Sequence, residues 1–575
     1  MNYRWQIHPE RPEAVAALTQ AMSITPLLAQ CMINRDVSTP ASAEVFLQPK
    51  LGQLADPFLL PNMSVAIERL FRARAASEPV TIFGDYDVDG VSSTAILALS
   101  LRALGWQVHT YLPHRLNEGY GLSRDGVENC LRQYPTSLLL AVDCGSTTAA
   151  TIAWLNENKV DVIVLDHHQI GVPAPAALAL VNPHLAPQNG TPDFRVLCSA
   201  GLAFKMLHAV VKEGRQRGLS EMVAFDIRPY LDLVALGTIA DLVPLTGENR
   251  TLASAGLECL NRTTRPGITA LKRSAQITNS IGVYEVGFQL APRLNAAGRL
   301  ESAMTALELL LSTTPDAADT LAQQLETSNR ERQEAERGIA DEVMQLIRAK
   351  FNPAVDQVIV EGRADWHIGV VGIVASRVVR EFHRPTIICG GDGEALRGSG
   401  RSIEGFDLVS ALMDCTDLLT SHGGHAMAAG VSLRPENLDA LRTRLNATAR
   451  QRMPAEPSRP VLRLDAASNL FDLTLRQMED LDRLQPIGQG NPPVQLMFRD
   501  LQLQRPPQRM GKQQQHAKLI VSDGAITAEA VMWNVTDENL PRGRFDLAAA
   551  PQINLFNGRR NLQLKVLDWR RAGSE

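Results

Sequence analysis

The sequence of 575 residues lacks the features expected of a membrane-spanning or secreted protein. It has no run of about 18 apolar residues, the length that a helix needs to cross a bilayer. Its first residues are polar and do not form the apolar stretch of a secretory signal. Its seven cysteines include no closely spaced pair, which argues against a zinc knuckle or a disulfide framework. We therefore expect an intracellular, cytoplasmic protein that does not contact membranes.

Charge and aromatic content, averaged over the chain, give little support for a nucleic-acid partner. The net charge is −5, and only 5% of the residues are aromatic. The charge is distributed unevenly, however, because residues 501–575 contain eleven basic and seven acidic side chains, a local excess of +4. Since local patches decide phosphate binding, this region remains compatible with nucleic-acid binding.

Alternating apolar runs and helical stretches predict an α/β fold. Continuous apolar runs at 79–83, 137–142, 161–165 and 178–181 alternate with helical stretches such as 92–104, a pattern typical of a parallel sheet covered on both faces. An amphipathic pattern over 320–350 predicts one long helix that bridges two lobes. Near the C-terminus, Asn557-Gly558 between two strand-like runs predicts a hairpin in a small β-barrel.

The predicted architecture is therefore two α/β lobes joined by a long helix and followed by a C-terminal β-barrel. A chain of this length is too long for a single core, so several domains are expected. The predicted boundaries give a helical lead-in at 1–60, a first lobe at 61–300, a connecting helix at 301–352, a second lobe at 353–452 and a barrel at 461–575.

Acidic residues and histidines follow the predicted strands of the first lobe. Groups just past the carboxyl ends of parallel strands converge on one crevice. Crowded carboxylates need cations to neutralise them, and carboxylate with imidazole suits Mg²⁺ or Mn²⁺ better than zinc. Two such ions about 4 Å apart would clamp the attacking and leaving oxygens of a phosphodiester. The candidate catalytic residues are Asp85, Asp87, Asp89, Asp143, Asp166, His167, His168 and Asp241.

Each of these motifs has a structural interpretation as well. A triplet of alternating aspartates is also typical of a calcium loop or a solvated turn, and the Asp-His-His triplet could be a hydrogen-bonded core group. Their joint occurrence at successive strand ends favours the catalytic metal centre.

The first lobe resembles the DHH phosphoesterase superfamily, whose four motifs are matched in order by GDYDVDG, VDCG, DHH and GTIADLVPL. Many superfamily members have a histidine where this chain has Phe83, so either Asp85 supplements the site or one ligand is absent. The resemblance implies that Asp166 orients a histidine and that His168 faces the scissile phosphate. It implies metal ligation by Asp87, Asp89, Asp143, His167 and Asp241.

The rest of the chain resembles RecJ-type exonucleases. The second lobe is similar to the DHHA1 domain through WHIGVVGIVA at 366–375, RGSGRS at 397–402 and GGHAMAAG at 423–430. Further matches are LPHRLNEGYG at 112–121, PRLNAAGRL at 292–300 and LQPIGQGNP at 484–492, and the last of these leads into a barrel that resembles an OB fold. The resemblance implies 5′-to-3′ degradation of single-stranded DNA to mononucleotides in repair and recombination, with two Mg²⁺ or Mn²⁺ ions. The substrate-binding residues that it implies are Arg115, Tyr120, Arg293, Asn295, Arg299, Ser399, Arg401, Gly424 and His425.

Several questions stay open at this point. Arg293 and Arg299 could instead form an ordinary salt bridge between the two lobes. A phosphodiesterase for dinucleotides and a DNA-bound factor without catalytic activity are alternative functions, although the barrel argues against the first and the intact carboxylate set against the second. Repair and recombination would also imply a helicase and a single-strand-binding protein as partners, and the family favours a monomer. The choice between Mg²⁺ and Mn²⁺ is not decided by the sequence.

Overall fold

The computed structural model describes residues 3–114, 118–119, 121–186, 193–300, 302–353, 355–391, 393–454, 459–556 and 559–574. Contacts divide the chain into two compact units, each of which is described by itself. The first comprises Met1–Ala291, Leu310–Pro315 and Val461–Glu575, and the second comprises Pro292–Leu309 and Asp316–Pro460. The predicted fold class is confirmed by the sheets described below. The predicted domain boundaries divide the chain differently and stay predictions.

The N-terminal segment is a strand followed by three short helices, each of which begins at a proline. Proline suits the first turn of a helix because its fixed φ is already helical and its missing N–H needs no partner there. The hydroxyl of Thr39 also accepts the N–H of Ser42 at 3.2 Å and so caps the third helix. The elements are β1 (Arg4–Ile7), α1 (Pro12–Met22), α2 (Pro26–Ile33) and α3 (Pro40–Leu47).

The first lobe is built on a five-stranded parallel sheet. Its elements are α4 (Met63–Ala75), β2 (Val80–Gly84), α5 (Val88–Ala103), β3 (Val108–Tyr111), α6 (Arg124–Gln133), β4 (Leu138–Val142), α7 (Ala149–Glu157), β5 (Asp161–Leu165) and β6 (Ala179–Val181). The strand order is β3-β2-β4-β5-β6, and every residue of β2 and β4 is buried, as expected for strands covered on both faces. Helix α5 begins before the predicted residue 92, because the Asp87 carboxylate accepts the N–H groups of Asp89 and Gly90 and caps the helix.

A helical region follows the sheet. Its elements are α8 (Ser199–Gln216), α9 (Ser220–Val223), α10 (Leu231–Ala240), α11 (Gly247–Arg262), α12 (Pro266–Ser274), α13 (Val283–Glu285), a π-helix (Val286–Leu290), α14 (Ala291–Leu300) and α15 (Met304–Leu311). Helix α10 is buried from Leu231 to Ile239, which is typical of a helix surrounded by core, and it packs against α5 and α8.

The second unit contains the predicted long helix and a mixed five-stranded sheet. The sheet has the order β10-β11-β9-β8-β7, in which only β7 and β8 pair in parallel. The long helix begins at Pro315, ahead of the predicted residue 320. The elements are α16 (Pro315–Lys350), β7 (Ile359–Gly362), α17 (Val371–Phe382), β8 (Thr386–Gly391), β9 (Leu396–Arg401), α18 (Leu408–Met413), β10 (Leu419–His425), β11 (Ala428–Leu433) and α19 (Leu438–Arg452).

The C-terminal region forms the predicted β-barrel. Its sheet has the order β13-β14-β18-β19-β17-β16-β15, and a further pairing of β14 with β16 closes it. The predicted hairpin appears as the antiparallel pair β18 and β19, whose connecting residues 557–558 lie outside the described residues. The elements are β12 (Val461–Leu464), β13 (Ala466–Ala467), α20 (Leu475–Asp482), β14 (Leu496–Leu503), β15 (Gln508–Met510), β16 (His516–Ser522), β17 (Thr527–Met532), β18 (Phe545–Phe556) and β19 (Arg559–Arg571).

The N-terminal segment and the barrel share one hydrophobic core. Leu28, Met32 and Phe46 from the segment belong to the same buried cluster as Phe498 and Phe545 of the barrel. Strand β1 also pairs in parallel with β12. The segment therefore depends on the far end of the chain for its packing. Among the described residues no single helix is long and apolar enough to span a membrane; α1 and α2 pass such a test only together, across a bend of 116°.

A buried arginine ties three parts of the first unit together. Arg250 on α11 donates from Nε to the carbonyl of Phe46 at 2.6 Å, from Nη1 to that of Leu484 at 2.9 Å and from Nη2 to that of Gln485 at 2.6 Å. Its guanidinium carbon lies 3.7 Å from the centre of the Phe46 ring. The side chain thus satisfies backbone carbonyls of the N-terminal segment and of the loop that leads into the barrel.

Candidate metal centre

The predicted catalytic residues lie together at the carboxyl ends of the first-lobe strands. Asp85 follows β2, Asp143 follows β4, and Asp166 with both histidines follows β5. Asp143 has a φ of 63°, in the left-handed region that is costly for any residue other than glycine. Such backbone strain is concentrated at functional sites.

His167 lies at the centre of this group. Its Nε2 atom is 3.6 Å from Oδ1 of Asp143, 3.6 Å from Oδ2 of Asp241 and 3.9 Å from Oδ2 of Asp89. The sequence motifs that supply these four side chains lie far apart along the chain, and the fold brings them to one point. The remaining predicted ligand, Asp87, lies two residues before Asp89 and uses one carboxylate oxygen to cap α5.

The first turn of α8 belongs to the site, and the motifs do not predict it. The N–H groups of Ser199 and Ala200 donate to the two oxygens of Asp89 at 2.7 and 2.8 Å, and the hydroxyl of Ser199 donates to Oδ1 of Asp143 at 2.8 Å. The thiol of Cys198 forms a group with the carboxylates of Asp89 and Asp241 in which the possible ligand atoms lie within 4.8 Å of one another. The only local signal was a short stretch of small residues before a helix, whose exposed N–H groups attract anions.

Gly237 on α10 allows Asp89 to reach this position. A methyl group at Gly237 would lie 2.7 Å from Oδ1 of Asp89 and 2.5 Å from the Cβ atom of Ala200. Both distances are too short for any side chain, so helix α10 approaches the site closely only because this residue is glycine.

The carboxylates are too crowded to be fully ionised on their own. Burial, together with the negative charge of neighbouring carboxylates, raises the pKa of Asp85 to about 7, that of Asp89 to about 6 and that of Asp241 to about 8. The pKa of Asp143 is raised well above its ordinary value for the same reasons. Positive charge at this point would return these groups to the ionised form.

His168 and Asp166 form an ion pair beside this group. Nδ1 of His168 lies 2.8 Å from Oδ1 of Asp166, which also accepts the N–H of His168 at 3.1 Å. Although burial opposes the charged ring, the hydrogen bond and charge of Asp166 raise the pKa of His168 to about 9. The His168 side chain is 43% exposed, so it presents positive charge to solvent. Asp166 therefore fixes the His168 ring by a hydrogen bond, and its role in catalysis stays a prediction.

Asp85 and Phe83 differ in what they offer the site. Asp85 is buried, accepts the N–H of Tyr86 at 2.9 Å and lies close enough to Asp87 for the charge of Asp87 to raise its pKa. Phe83, at the position where relatives of the superfamily have a histidine, is buried and stacks on Tyr111 with ring centroids 5.6 Å apart. Phe83 is thus a core residue. Ligation of a metal by Asp85 stays a prediction.

A divalent cation fits the donors that are present. Burial lowers the pKa of His167 to about 4, so its ring is neutral at pH 7. Its Nε2 atom is buried and has no hydrogen-bond partner among the described residues. A neutral imidazole nitrogen facing several carboxylate oxygens is a donor set that Mg²⁺ and Mn²⁺ accept.

In the second unit, Ser399 and Arg401 lie beside the start of α17. Nη1 of Arg401 donates to Oγ of Ser399 at 2.7 Å and to the carbonyl of Gly400 at 2.8 Å. A methyl group at Gly372, the second residue of α17, would lie 2.9 Å from Oγ of Ser399 and 3.3 Å from Nη2 of Arg401. A hydroxyl, a guanidinium and a helix N-terminus are thus gathered at one place, a combination suited to an anion.

Gly424 and His425 belong to the same sheet as Ser399 and Arg401. In the register of β10, β11 and β9, His425 pairs with Ala428, and Ala428 pairs with Arg401. His425 and Arg401 are therefore two strands apart in one row, or about 10 Å. Gly424 has a φ of 137°, and a methyl group there would lie 2.4 Å from the carbonyl oxygen of Ala428.

The predicted strand-binding residues of α14 make contacts within the second unit. Nε of Arg293 lies 2.7 Å from Oε2 of Glu326 on α16, and Nη1 of Arg299 donates to the carbonyl of Gly369 at 3.0 Å. Asn295 lies on the same helix, between these two arginines. Arg293 thus forms a salt bridge, but within the second unit and not between lobes as the alternative interpretation had it, and the DNA role of these residues stays a prediction. Arg115 and Tyr120 lie outside the described residues.

Comparison with known families divides the chain into three matching regions. The DHH family, N-terminal domain, matches residues 79–238. The DHHA1 domain matches residues 355–451, and the RecJ OB domain matches residues 464–568.

Relatives and solved structures match over nearly the whole chain. The single-stranded-DNA-specific exonuclease RecJ of Bacillus subtilis (strain 168) is 36% identical over 98% of this chain and 70% of its own length. The crystal structure of RecJ from Thermus thermophilus in complex with Mn²⁺ has a TM-score of 0.84 at 30% identity, covering 99% of this chain and 80% of that one. The crystal structure of RecJ from the same organism in complex with Mg²⁺ has a TM-score of 0.79 at 27% identity, covering 99% of this chain and 79% of that one.

Proposed function

The chain belongs to the RecJ family of single-stranded-DNA-specific exonucleases, and on this premise we propose that it hydrolyses single-stranded DNA from the 5′ end to mononucleotides. It is a metal-dependent phosphodiesterase that serves DNA repair and recombination. The observation that carries the proposal is the convergence of Asp89, Asp143 and Asp241 on the unpartnered Nε2 atom of His167.

The cofactor is Mg²⁺ or Mn²⁺, the ions named in the two Thermus structures. When bound, such ions supply positive charge to the oxygens of the phosphodiester and lower the pKa of water. The geometry supports ligation by Asp89, Asp143, His167 and Asp241, with Asp87 beside them, and the number of carboxylates supports two ions. Asp85 is the remaining candidate, because its carboxyl group is buried and close to Asp87.

His168 acts on the phosphate in this proposal. It is charged at neutral pH because Asp166 raises its pKa to about 9, and it is partly exposed. A cation at this position attracts the phosphodiester and offsets negative charge that develops on its oxygens. Asp166 holds the ring in place and keeps it protonated.

The second unit supplies the groups that bind the strand end. Ser399, Arg401 and the N-terminus of α17 are suited to a terminal 5′ phosphate, which would set the direction of degradation. Gly424 and His425 lie in the same sheet. On α14, Arg293, Asn295 and Arg299 bind along the DNA strand. Arg115 and Tyr120 complete the proposed set of substrate-binding residues.

The cysteines of the chain and its restriction to single strands indicate the compartment and the partners of the enzyme. Its seven cysteines are all unpaired and six are buried, which suits the reducing cytoplasm. An enzyme restricted to single strands needs a helicase to open the duplex and meets strands that single-strand-binding protein has covered, and we propose both as partners of a monomer. The barrel, which matches the RecJ OB domain, adds binding contacts along the DNA strand.

The deciding experiment follows a long single strand with a 5′ phosphate and a label at its 3′ end. With Mg²⁺ or Mn²⁺ the labelled strand should shorten steadily. Parallel reactions with chelator, with a matched duplex and with a matched RNA test whether cleavage requires the metal, a single strand and deoxyribose. Immediate release of a labelled mononucleotide would reverse the polarity. Binding without cleavage would point to the alternative of a factor without catalytic activity, and preference for dinucleotides would replace the long strand as substrate.

The affinity for Mn²⁺ should depend on pH because the ion competes with protons. The raised pKa values, about 6 for Asp89 and about 8 for Asp241, mean that these carboxyl groups hold protons as the pH falls from 8 to 6. Each displaced proton makes the Kd rise about tenfold per pH unit lowered, as measured by calorimetric titration.

The variant Asp241→Asn is the matched control for this titration. The asparagine amide has no acidic proton to lose. The variant should therefore have a higher Kd for Mn²⁺ at pH 8, and its Kd should change less with pH. A Kd that stays constant between pH 6 and pH 8 in the unaltered chain would contradict the assignment of these carboxylates to the metal.

A further inference from the structure

Two exposed aromatic rings stack on one another near the end of the helical region of the first unit. Tyr284 is 62% exposed and Phe288 is 72% exposed. Their ring centroids are 5.0 Å apart with an angle of 27° between the ring planes. Apolar rings of this size are normally buried, so a stacked pair open to solvent has the form of a binding surface.

The pair lies on an unusual piece of backbone that packs against the core. Phe288 lies in the π-helix, whose residues Val286 and Leu290 are buried on its inner side, and this segment packs against α10. π-helical turns are rare and are frequently found at functional sites. The two rings are therefore fixed outward by the packing beneath them.

The pair is linked to the candidate metal centre through neighbouring residues of the first unit. A methyl group placed on Gly488 would lie 2.7 Å from Cδ1 of Leu245 and 3.8 Å from Cγ1 of Val283, so residues 245 and 283 are near neighbours. Leu245 is only four residues beyond Asp241, a span of no more than about 14 Å. Between them Leu242 is 71% exposed and has a φ of 60°.

The chain segment that leads to the rings is basic in sequence. Residues 261–291 contain Arg262, Arg265, Lys272 and Arg273 but only one acidic residue, Glu285, an excess of +3. Arg265 is paired with Asp232 at 3.0 Å, which leaves Arg262 and Lys272 as the candidates for phosphate contacts. Aromatic rings among basic side chains are what proteins use to bind single strands, since the bases stack on the rings and the basic groups attract the phosphates. An acidic polymer with flat bases fits this surface better than an apolar protein segment does.

We propose that Tyr284 and Phe288 form a stacking platform for bases of the DNA strand that lie a few nucleotides from the scissile phosphate. The inference rests on the proposed function, because it takes the strand to be the substrate bound at Asp241. Phosphates on one strand of a duplex follow one another about every 3.4 Å along the helix axis, and a single strand can extend beyond that, so a few nucleotides are enough to reach from Asp241 toward Tyr284. Stacking is available to every base, and the platform therefore adds affinity without sequence preference.

The test measures equilibrium binding of two fluorescent strands in the presence of chelator, which prevents cleavage. One strand is oligothymidine, and the other is an abasic strand of equal length with the same phosphates. In the double variant Tyr284→Ala/Phe288→Ala the Kd for oligothymidine should rise about tenfold or more, whereas the Kd for the abasic strand should not change. The dependence of Kd on salt should also stay the same, because no phosphate contact is removed.

Two variants serve as controls. Phe225→Ala removes a half-buried ring that stacks on Tyr230 at 6.2 Å elsewhere in the first unit, and it should leave both Kd values unchanged. The conservative double variant Tyr284→Phe/Phe288→Tyr keeps both rings and should bind as the unaltered chain does.

The outcomes separate the platform from the proposed function. If the double alanine variant binds oligothymidine like the unaltered chain, the rings do not contact DNA, and a protein partner becomes the better occupant. If its affinity for the abasic strand falls equally, the change is not one of base stacking, and the proposal is overturned. If the unaltered chain binds neither strand, the proposed function itself fails.

Discussion

Asp143→Ala should abolish cleavage while the chain continues to bind single strands. Asp143 is buried at the end of β4, accepts a hydrogen bond from Ser199 and lies 3.6 Å from Nε2 of His167. Its removal takes a carboxylate from the centre of the proposed metal site, whereas the proposed strand-binding groups lie elsewhere. Single-turnover cleavage of a 3′-labelled strand should slow by at least about a thousandfold. Equilibrium binding of the same strand should change little.

A second carboxylate of the same sheet provides the control. Asp161 lies at the amino end of β5, opposite the site, where its Oδ2 atom is 2.6 Å from Nε of Arg69. Asp161→Asn should cleave like the unaltered chain. Asp143→Asn keeps the size of the side chain and should be as inactive as the alanine variant, with no fall in unfolding temperature in chelator. Near-normal turnover in either Asp143 variant would mean that the metal centre is assigned wrongly.

Arg250→Ala should strongly destabilise the first unit. The guanidinium is buried, donates to five backbone carbonyls from two distant segments, three of them within 2.9 Å, and lies against the Phe46 ring. Alanine would leave those carbonyls without donors and open a cavity beside the ring. The free energy of unfolding of this unit should fall by about 3–5 kcal/mol, which denaturant titration measures.

The comparison for this variant is an arginine that makes its ion pair at the surface. Arg228 pairs with Asp226 at 2.8 Å, and its side chain is 72% exposed. Arg228→Ala should leave the unfolding midpoint unchanged, because exposed pairs contribute little. Arg250→Lys should recover only part of the loss, since one ammonium group cannot reach all five carbonyls. An Arg250→Ala chain as stable as the unaltered one would show that the carbonyls find other donors.

The sheet of the first lobe could be predicted from the sequence because its strands are buried on both faces. The apolar runs predicted at 137–142 and 161–165 correspond to β4 at Leu138–Val142 and β5 at Asp161–Leu165. Aspartates directly after such runs mark both the strand ends and the site. The edge strand β3 (Val108–Tyr111) was not predicted, because its sequence Val-His-Thr-Tyr has two polar residues in the middle and gives no continuous apolar run.

Other parts of the site depend on contacts that leave no local pattern. The N–H groups of Ser199 and Ala200 bind Asp89 from a helix more than a hundred residues away, and backbone donors carry no sequence signature. The predicted lead-in at 1–60 gave no sign that its helices pack into the barrel core. Deleting the barrel would therefore expose the apolar side of those helices, so point variants test its role in DNA binding more cleanly.

The core shared by the N-terminal segment and the barrel affects how the chain folds while it is being made. Thr25 donates to Asp480 across 455 residues of sequence, at a distance of 2.7 Å. At about 5–20 residues per second, synthesis takes about 20–90 s to cover that span. During this time the apolar sides of α1, α2 and α3 have no partner from the barrel. All strands of the first-lobe sheet, by contrast, are synthesised well before the barrel. The N-terminal helices can therefore complete their packing only after the barrel has been synthesised, and until then their apolar sides are exposed to aggregation.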